Sequence, residues 1–441
     1  MQRHVLACAL LLAGCAAPLG EQAPPPAAIQ MPQGEAFARI ARLEDARSDA
    51  GGELTAYAQS TAAAVRARAA TALGRLAPSA FGSGPSRTLE VLALGDAERE
   101  VRLAALFALG QRADAASGEA LVRLAADPEA AVRARAVEAL AKLPRPDLRG
   151  AVLAALDDPE AVVRLEAAHG PHRWPRAEAD ADAVDARLVA HVAGEPDARL
   201  AMYALSSLER RAAPSARATF ERFATSPQAE VRLFAVRGLK SLAGPGAPVK
   251  PLRQALASTD WRVQVEACIG LGLCDAPEAD RVLGEATRGY SPHVRRTAWE
   301  ALGGRVDRLT TQDEARALER LLEPYWLTPA QFDAELSDSV QAAFLELELP
   351  LLARIRSLGS GWTRSQNSEM AVKIDEVARR QPPVVLAGLC RALARTPEDF
   401  AREGLASLAA HPDPFVAGAA IEGLGSHPGD WTRNRLLGLI E

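Results

Sequence analysis

The sequence predicts an all-α fold, an α-solenoid of about ten to eleven stacked helical hairpins. Three observations carry this. One phrase recurs along most of the chain: "AAAVRARAATALGRL" (Ala62–Leu76), "DPEAAVRARAVEALAKL" (Asp127–Leu143) and "SPQAEVRLFAVRGLKSL" (Ser226–Leu242) are three copies. Aligned on a Val-Arg step, the copies fall at Val65, Val101, Val132, Val163, Ala198, Val231, Val263 and Val294, between 31 and 36 residues apart. Such a period is that of a supersecondary unit repeated along a solenoid. Finally, 48% of the 441 residues are hydrophobic but only 5% aromatic, so the apolar mass is mostly small aliphatic side chains, which suit closely packed helices better than a sheet core.

The first element is "MQRHVLACALLLAGCAAP". A positive start at Arg3, an apolar run over Val5–Ala13 and then small residues predict a secretory signal over 1–14, too short to span a bilayer. The quartet Leu12-Ala13-Gly14-Cys15 resembles the lipobox of bacterial lipoproteins. That resemblance implies cleavage before Cys15 and lipidation of Cys15, so that acyl chains anchor the protein to a membrane. Cleavage at a nearby small residue, giving an ordinary secreted protein, is the alternative. Ala16 rather than aspartate follows the cysteine. In enterobacterial lipoproteins this implies the outer membrane, facing the periplasm.

Residues 15–35 then read as lipidated Cys15 and a tether rich in Pro and Ala. Such a composition forms no core.

Regular repeats follow over 36–305, and more divergent ones over 306–441, with weaker matches at Val340, Val385 and Val416. Each unit reads as two helices. In the third, Gly118–Ala126 is the first helix and Glu129–Leu143 the second, with Asp127 capping it and Pro128 in its first turn. Val132, Ala136, Leu140 and Leu143 form one apolar stripe. One hairpin cannot bury that stripe, so its neighbour must.

The phrase "DP-x-x-x-VR-x-x-A-x-x-AL" resembles the second helix of HEAT-like repeats of the type found in phycobilin lyases. In such repeats the arginine after the aligned residue typically forms a ladder with acidic or carbonyl groups of adjacent units. Here that position holds Arg66, Arg102, Arg133, Arg164, Arg199, Arg232 and Arg295, and Gln264 interrupts the series. An anion-binding stripe is the functional alternative.

Two segments leave the pattern. In "HGPHRWPRAEADADAVD" (His169–Asp185) Gly170-Pro171 cuts a second helix short. His169 and His172 lack a third metal ligand at suitable spacing. Asp180, Asp182 and Asp185 fit the start of the next helix, where negative charge is favoured. In "SLGSGWTRSQNSE" (Ser357–Glu369), Trp362 is either an exposed anchor for a partner or folded back on the solenoid.

Catalytic signatures are missing: there is no H-E-x-x-H, G-x-S-x-G, Walker A or G-x-G-x-x-G. None of the seven histidines begins a His-Glu pair of the kind the HEAT-like deoxyhypusine hydroxylases carry. Export argues against a phycobilin lyase and against a HEAT-like DNA glycosylase. The net charge of −5 disfavours nucleic acid as a partner. After the signal and Cys15, Cys268, Cys274 and Cys390 remain, as buried free thiols rather than a disulfide framework.

Residues Glu35–Leu76 resemble the opening of exported bacterial proteins in which HEAT repeats precede a cyclophilin-type peptidyl-prolyl isomerase domain, "RLED" and "VRARAA" being the strongest parts. That family's catalytic phrase, of F-H-R type, has no counterpart here, so no isomerase residue is carried over. The expectation is a non-catalytic, lipid-anchored scaffold of the cell envelope that binds another protein and needs no cofactor. The alternatives are the non-catalytic arm, or a truncated form, of an exported isomerase, and a tetrapyrrole or small-molecule binder.

Overall fold

A computed structural model describes residues 31–288, 291–322 and 337–438. Its regular elements among these residues are all helices, and the chain divides into two compact units, residues 1–173 and 174–441. The signal segment, Cys15 and most of the tether lie outside the described residues.

The first unit opens with α1 (Gln33–Asp45) and continues as four hairpins. These pair α2 (Glu53–Tyr57) with α3 (Ala63–Leu73), then, beyond the short α4 (Pro78–Phe81), α5 (Gly84–Gly95) with α6 (Arg99–Arg112). Next come α7 (Gly118–Leu124) with α8 (Ala130–Lys142), and α9 (Arg149–Ala154) with α10 (Ala161–His169).

The second unit holds seven hairpins among its described residues. They are α11 (Ala181–Gly194) with α12 (Ala198–Arg210), α13 (Arg217–Phe223) with α14 (Ala229–Ser241), α15 (Val249–Ala255) with α16 (Trp261–Leu273), and α17 (Pro277–Ala286) with α18 (Pro292–Val306). Then follow α19 (Gln312–Leu322) with α20 (Asp338–Leu358), α21 (Arg364–Ala378) with α22 (Pro383–Ala394), and α23 (Asp399–Leu408) with α24 (Pro414–Leu424); α25 (Asp430–Leu437) comes last.

Within each unit the second helix of one hairpin packs on the second helix of the next: α3 on α6, α6 on α8, α12 on α14, α14 on α16 and α16 on α18. The sequence explains this seam. The aligned valine is the third residue of its helix, and an alanine four positions on shares its face. Ala69, Ala105, Ala136, Ala167, Ala235, Ala267 and Ala298 all sit in this column with no exposed surface. A methyl group there lets neighbouring axes approach closely. At Gly388 even a methyl group is too large, because a Cβ built there would meet the Ala342 Cα at 2.5 Å. Glycine therefore marks where α22 crosses α20.

One repeat departs from the sequence alignment. Ala198 is the first residue of α12, not the third. The valine column is filled instead by Leu200, which is buried, and the alanine column by Ala204. Asp197 accepts the Arg199 backbone N–H at 2.8 Å and starts the helix, placing Arg199 second in α12. Asp127 also acts one step earlier than the sequence suggests. Its carboxylate accepts the Glu129 backbone N–H at 2.8 Å, α8 begins at Ala130, and Pro128 stays in the preceding turn.

Candidate functional site

Arg66, Arg102, Arg133 and Arg232 make the same two-sided contact. Arg66, Arg102 and Arg133 reach back to their own loop through Nη1, to the carbonyls of Ser60, Asp96 and Asp127 at 2.9, 3.1 and 3.0 Å. Each also reaches forward to the next loop: Arg66 to both Asp96 oxygens at 2.7 and 2.8 Å, Arg102 to Glu129 at 2.8 Å, and Arg133 to both Asp158 oxygens at 2.8 and 2.9 Å. Arg232 repeats this with hydroxyl chemistry, using the Ser226 carbonyl at 2.6 Å and Ser258 Oγ at 3.1 Å. The paired guanidinium contacts hold the Asp96 and Asp158 carboxyls below the ordinary carboxylate range.

Further contacts are made at the remaining positions. Arg164 reaches its own loop, at the Asp158 and Pro159 carbonyls, 3.0 and 2.9 Å away. Arg295 donates to the Thr287 carbonyl at 3.1 Å, and its guanidinium lies 4.9 Å from the Phe344 ring centre. Gln264 keeps the backward half of the contact, at Ser258 O, 2.7 Å. Arg199 is exposed and stands off the ladder register, where α12 has Ala201.

A second set of arginines went unread in the sequence. Arg112, Arg211 and Arg305 each lie eleven residues after the buried residue that opens the seam of their helix: Val101, Leu200 and Val294. All three are buried and clamp the segment that leads into, or begins, the first helix of their own hairpin. Arg112 donates to the carbonyls of Leu76 and of Gly82, the latter at 2.7 Å. Arg211 donates to the carbonyls of Trp174 and Ala181 at 3.0 and 3.2 Å, and to the Asp185 carboxylate. Arg305 binds Asp280 and the Asp275 carbonyl, the latter at 3.3 Å. Elsewhere the same column holds Leu76, Leu143, Trp174, Leu242 and Cys274. A charge in an otherwise apolar column was the available signal. Asp185, read from sequence as a helix-start charge, is wholly buried with Arg211 and Arg176 as partners; Asp180 does precede α11 and Asp182 lies in its first turn.

Trp362 folds back onto its own unit. Its ring centre lies 4.7 Å from that of Phe400, the Arg356 guanidinium sits 5.0 Å over it, and Nε1 donates to the Ala353 carbonyl at 3.3 Å. His169 and His172 stack with ring centres 4.4 Å apart. No group of three or more His, Cys, Asp or Glu side chains arranged for a metal occurs among the described residues. Cys268, Cys274 and Cys390 are buried free thiols, and burial pushes Cys268 and Cys390 up to about 12.

Apolar side chains do reach the surface on α16. Trp261, Ile269 and Leu273 are 46%, 39% and 42% exposed, and Trp261 stacks on His293 at 4.7 Å. The position of Ile269 is Glu138 in α8, Arg237 in α14 and Glu300 in α18, but Thr71 in α3 and, 40% exposed, Phe107 in α6. A large apolar side chain therefore reaches the surface at this position in both α6 and α16.

The family model for HEAT repeats matches residues 86–170 and 249–330. No curated protein matches the chain. Among solved structures, the chain is similar to Kap121p bound to Nup53p, with 11% identity, a TM-score of 0.54, and coverage of 93% of this chain and 55% of that one. It is also similar to importin beta, at 12% identity, TM-score 0.53 and coverage of 89% and 60%. For the karyopherin Kap121p bound to the SUMO protease Ulp1p the values are 15%, 0.51, 88% and 45%. The chain thus spans about half the length of these structures, and at such identity the likeness speaks for the fold. The repeated hairpin and the alanine seam agree with the matched segments: residues 86–170 and 249–330 match HEAT repeats, and the chain folds as an α-solenoid.

Proposed function

We propose that the chain is a lipid-anchored scaffold of the cell envelope whose HEAT repeats bind another protein without catalysing a reaction. The observation that carries this reading is the exposed apolar group Trp261, Ile269 and Leu273 on α16, with Trp261 stacked on His293. Aromatic and branched apolar side chains at a surface are the usual anchors of protein interfaces. Stacked hairpins offer long surfaces for such contacts. Support by analogy comes from the similar solenoids, whose structures were solved bound to Nup53p and to the SUMO protease Ulp1p. Support for the anchor comes from the sequence Leu12-Ala13-Gly14-Cys15.

Two experiments test it. A photo-crosslinking amino acid at Ile269, introduced in the full chain in its native host, is expected to capture one discrete protein, and Trp261→Ala is expected to abolish that product. Diffuse labelling indifferent to Trp261→Ala would count against docking there. Cys15→Ser is expected to release the protein from membranes, and persistent membrane association would remove the anchor from the reading. A proline-isomerisation assay should read only the background rate, since turnover by the purified chain would overturn the non-catalytic part.

A further inference from the structure

Two cavities of the second unit meet at one side chain, Arg395. The first, about 440 Å³, is lined by His293 and Arg296 of α18, by Val340, Phe344 and Leu347 of α20, and by Arg395. The second, about 470 Å³, lies where the chain leaves α22 and α24, and is lined by Arg395, Pro397, Arg402, Ser426, His427 and Pro428. Its described lining contains two arginines and no carboxylate.

The charges are unevenly neutralised. In the first cavity Glu300 pairs with Arg296 at 2.8 Å, while Glu346 is taken by Arg391 at 2.7 Å. Arg395 stands 3.9 Å from Glu346 with 63% of its side chain exposed, too long for a hydrogen bond. Arg402 pairs with Asp399, lies 5.5 Å from the Trp431 ring centre, and keeps 35% of its side chain exposed. Moving along the groove, an apolar floor therefore gives way to positive charge.

We infer that the two cavities form one groove, joined at Arg395, for an extended peptide segment of a partner protein. An apolar side chain of that segment rests on Val340, Phe344 and Leu347, and an acidic side chain beyond it is held by Arg395 and Arg402. The chemistry selects this occupant. Guanidinium groups bind carboxylates with charge-assisted hydrogen bonds, and the apolar floor gives a hydrophobic residue its burial. Nucleic acid would need a longer basic track than two arginines on a chain of net charge −5. The inference rests on the scaffold reading and gives the partner its chemistry; His293 in the wall of the first cavity is the ring on which Trp261 of α16 stacks.

The test is fluorescence anisotropy on the full chain with a fluorescein-labelled octapeptide of three leucines followed by three aspartates between glycines. Controls replace the aspartates with lysines, or the leucines with serines. The first peptide should bind and both controls should bind at least tenfold more weakly. The double variant Arg395→Ala with Arg402→Ala should lose at least tenfold for the first peptide, and so should Leu347→Ser, each with unchanged circular dichroism. Equal binding of the lysine peptide, wild-type affinity in the folded variants, or no binding by any peptide would overturn the groove. Crosslinking from Ile269 is read separately, so a partner captured there without peptide binding rejects the groove and leaves the scaffold reading standing.

Discussion

Arg211 Nε lies 2.5 Å from an Asp185 carboxylate oxygen, and the two side chains are 1% and 0% exposed. Buried ions of this kind are costly to separate, because the survivor is left in a medium of low dielectric. Arg211→Leu should therefore destabilise the second unit by about 3–5 kcal/mol. Adding Asp185→Ala should recover part of that loss, since Leu143 and Leu242 fill the same column in other hairpins. Urea unfolding of the single and double variants, read by circular dichroism, checks this. A double variant no better than Arg211→Leu would refute the pairing argument.

The ladder predicts a pH dependence. Asp158 is held below the ordinary carboxylate range, first of all by its hydrogen bonds to Arg133. A carboxyl lowered in the folded chain adds stability above its unfolded value, near 3.9. It loses that contribution as pH falls through the folded value. Arg133→Ala should cost about 1–2 kcal/mol at pH 7, and the gap to wild type should narrow below about pH 4. Hydrogen exchange over residues 130–170 at pH 7 and, after rate correction, at pH 3.5 measures it. A gap that widens in acid would contradict the ladder.

The thiols give a third expectation. With burial pushing Cys268 and Cys390 up to about 12, neither forms thiolate near neutral pH. Iodoacetamide at pH 8 should leave both unmodified in the folded chain and alkylate both in urea. Mass-spectrometric mapping reads the result, and alkylation under native conditions would show that these helices open readily.

Gly388→Ala tests the seam. The added methyl carbon would lie 2.5 Å from the Ala342 Cα, a backbone atom that cannot swing aside. Overpacking of this kind costs about 1–3 kcal/mol. Gly84→Ala, where nothing lies within 4 Å of the new carbon, should leave stability nearly unchanged. Equal melting of the two variants would mean that α20 and α22 separate without cost.

Much of this architecture was legible in the sequence because the seam repeats. A valine, then an alanine four residues on, is a local pattern that survives alignment at Val65, Val101, Val132 and Val163. The second unit's first repeat was misread by two residues because Leu200 replaces the valine and Arg199 imitates the ladder residue. The clamps escaped notice for a different reason. Arg112, Arg211 and Arg305 are polar residues serving an interior column, and their acceptors include carbonyls 30–37 residues earlier in the chain, which no side-chain pattern reports. Trp362 had two readings that differ only in whether Phe400 and Arg356 are near it, a matter of tertiary position.

The ladder bond between one loop and the next also governs how such a chain can change its length. Each rung needs an arginine in one copy and an acceptor in the following copy, so any excision that keeps the period leaves donor and acceptor matched. Joining Val101 directly to Arg133 would discard 31 residues yet keep Arg66 with Asp96 and Arg133 with Asp158. Loss or gain of half a period would strand a guanidinium opposite a leucine. Copy number can therefore drift by whole hairpins while the bonds that hold the array stay the same.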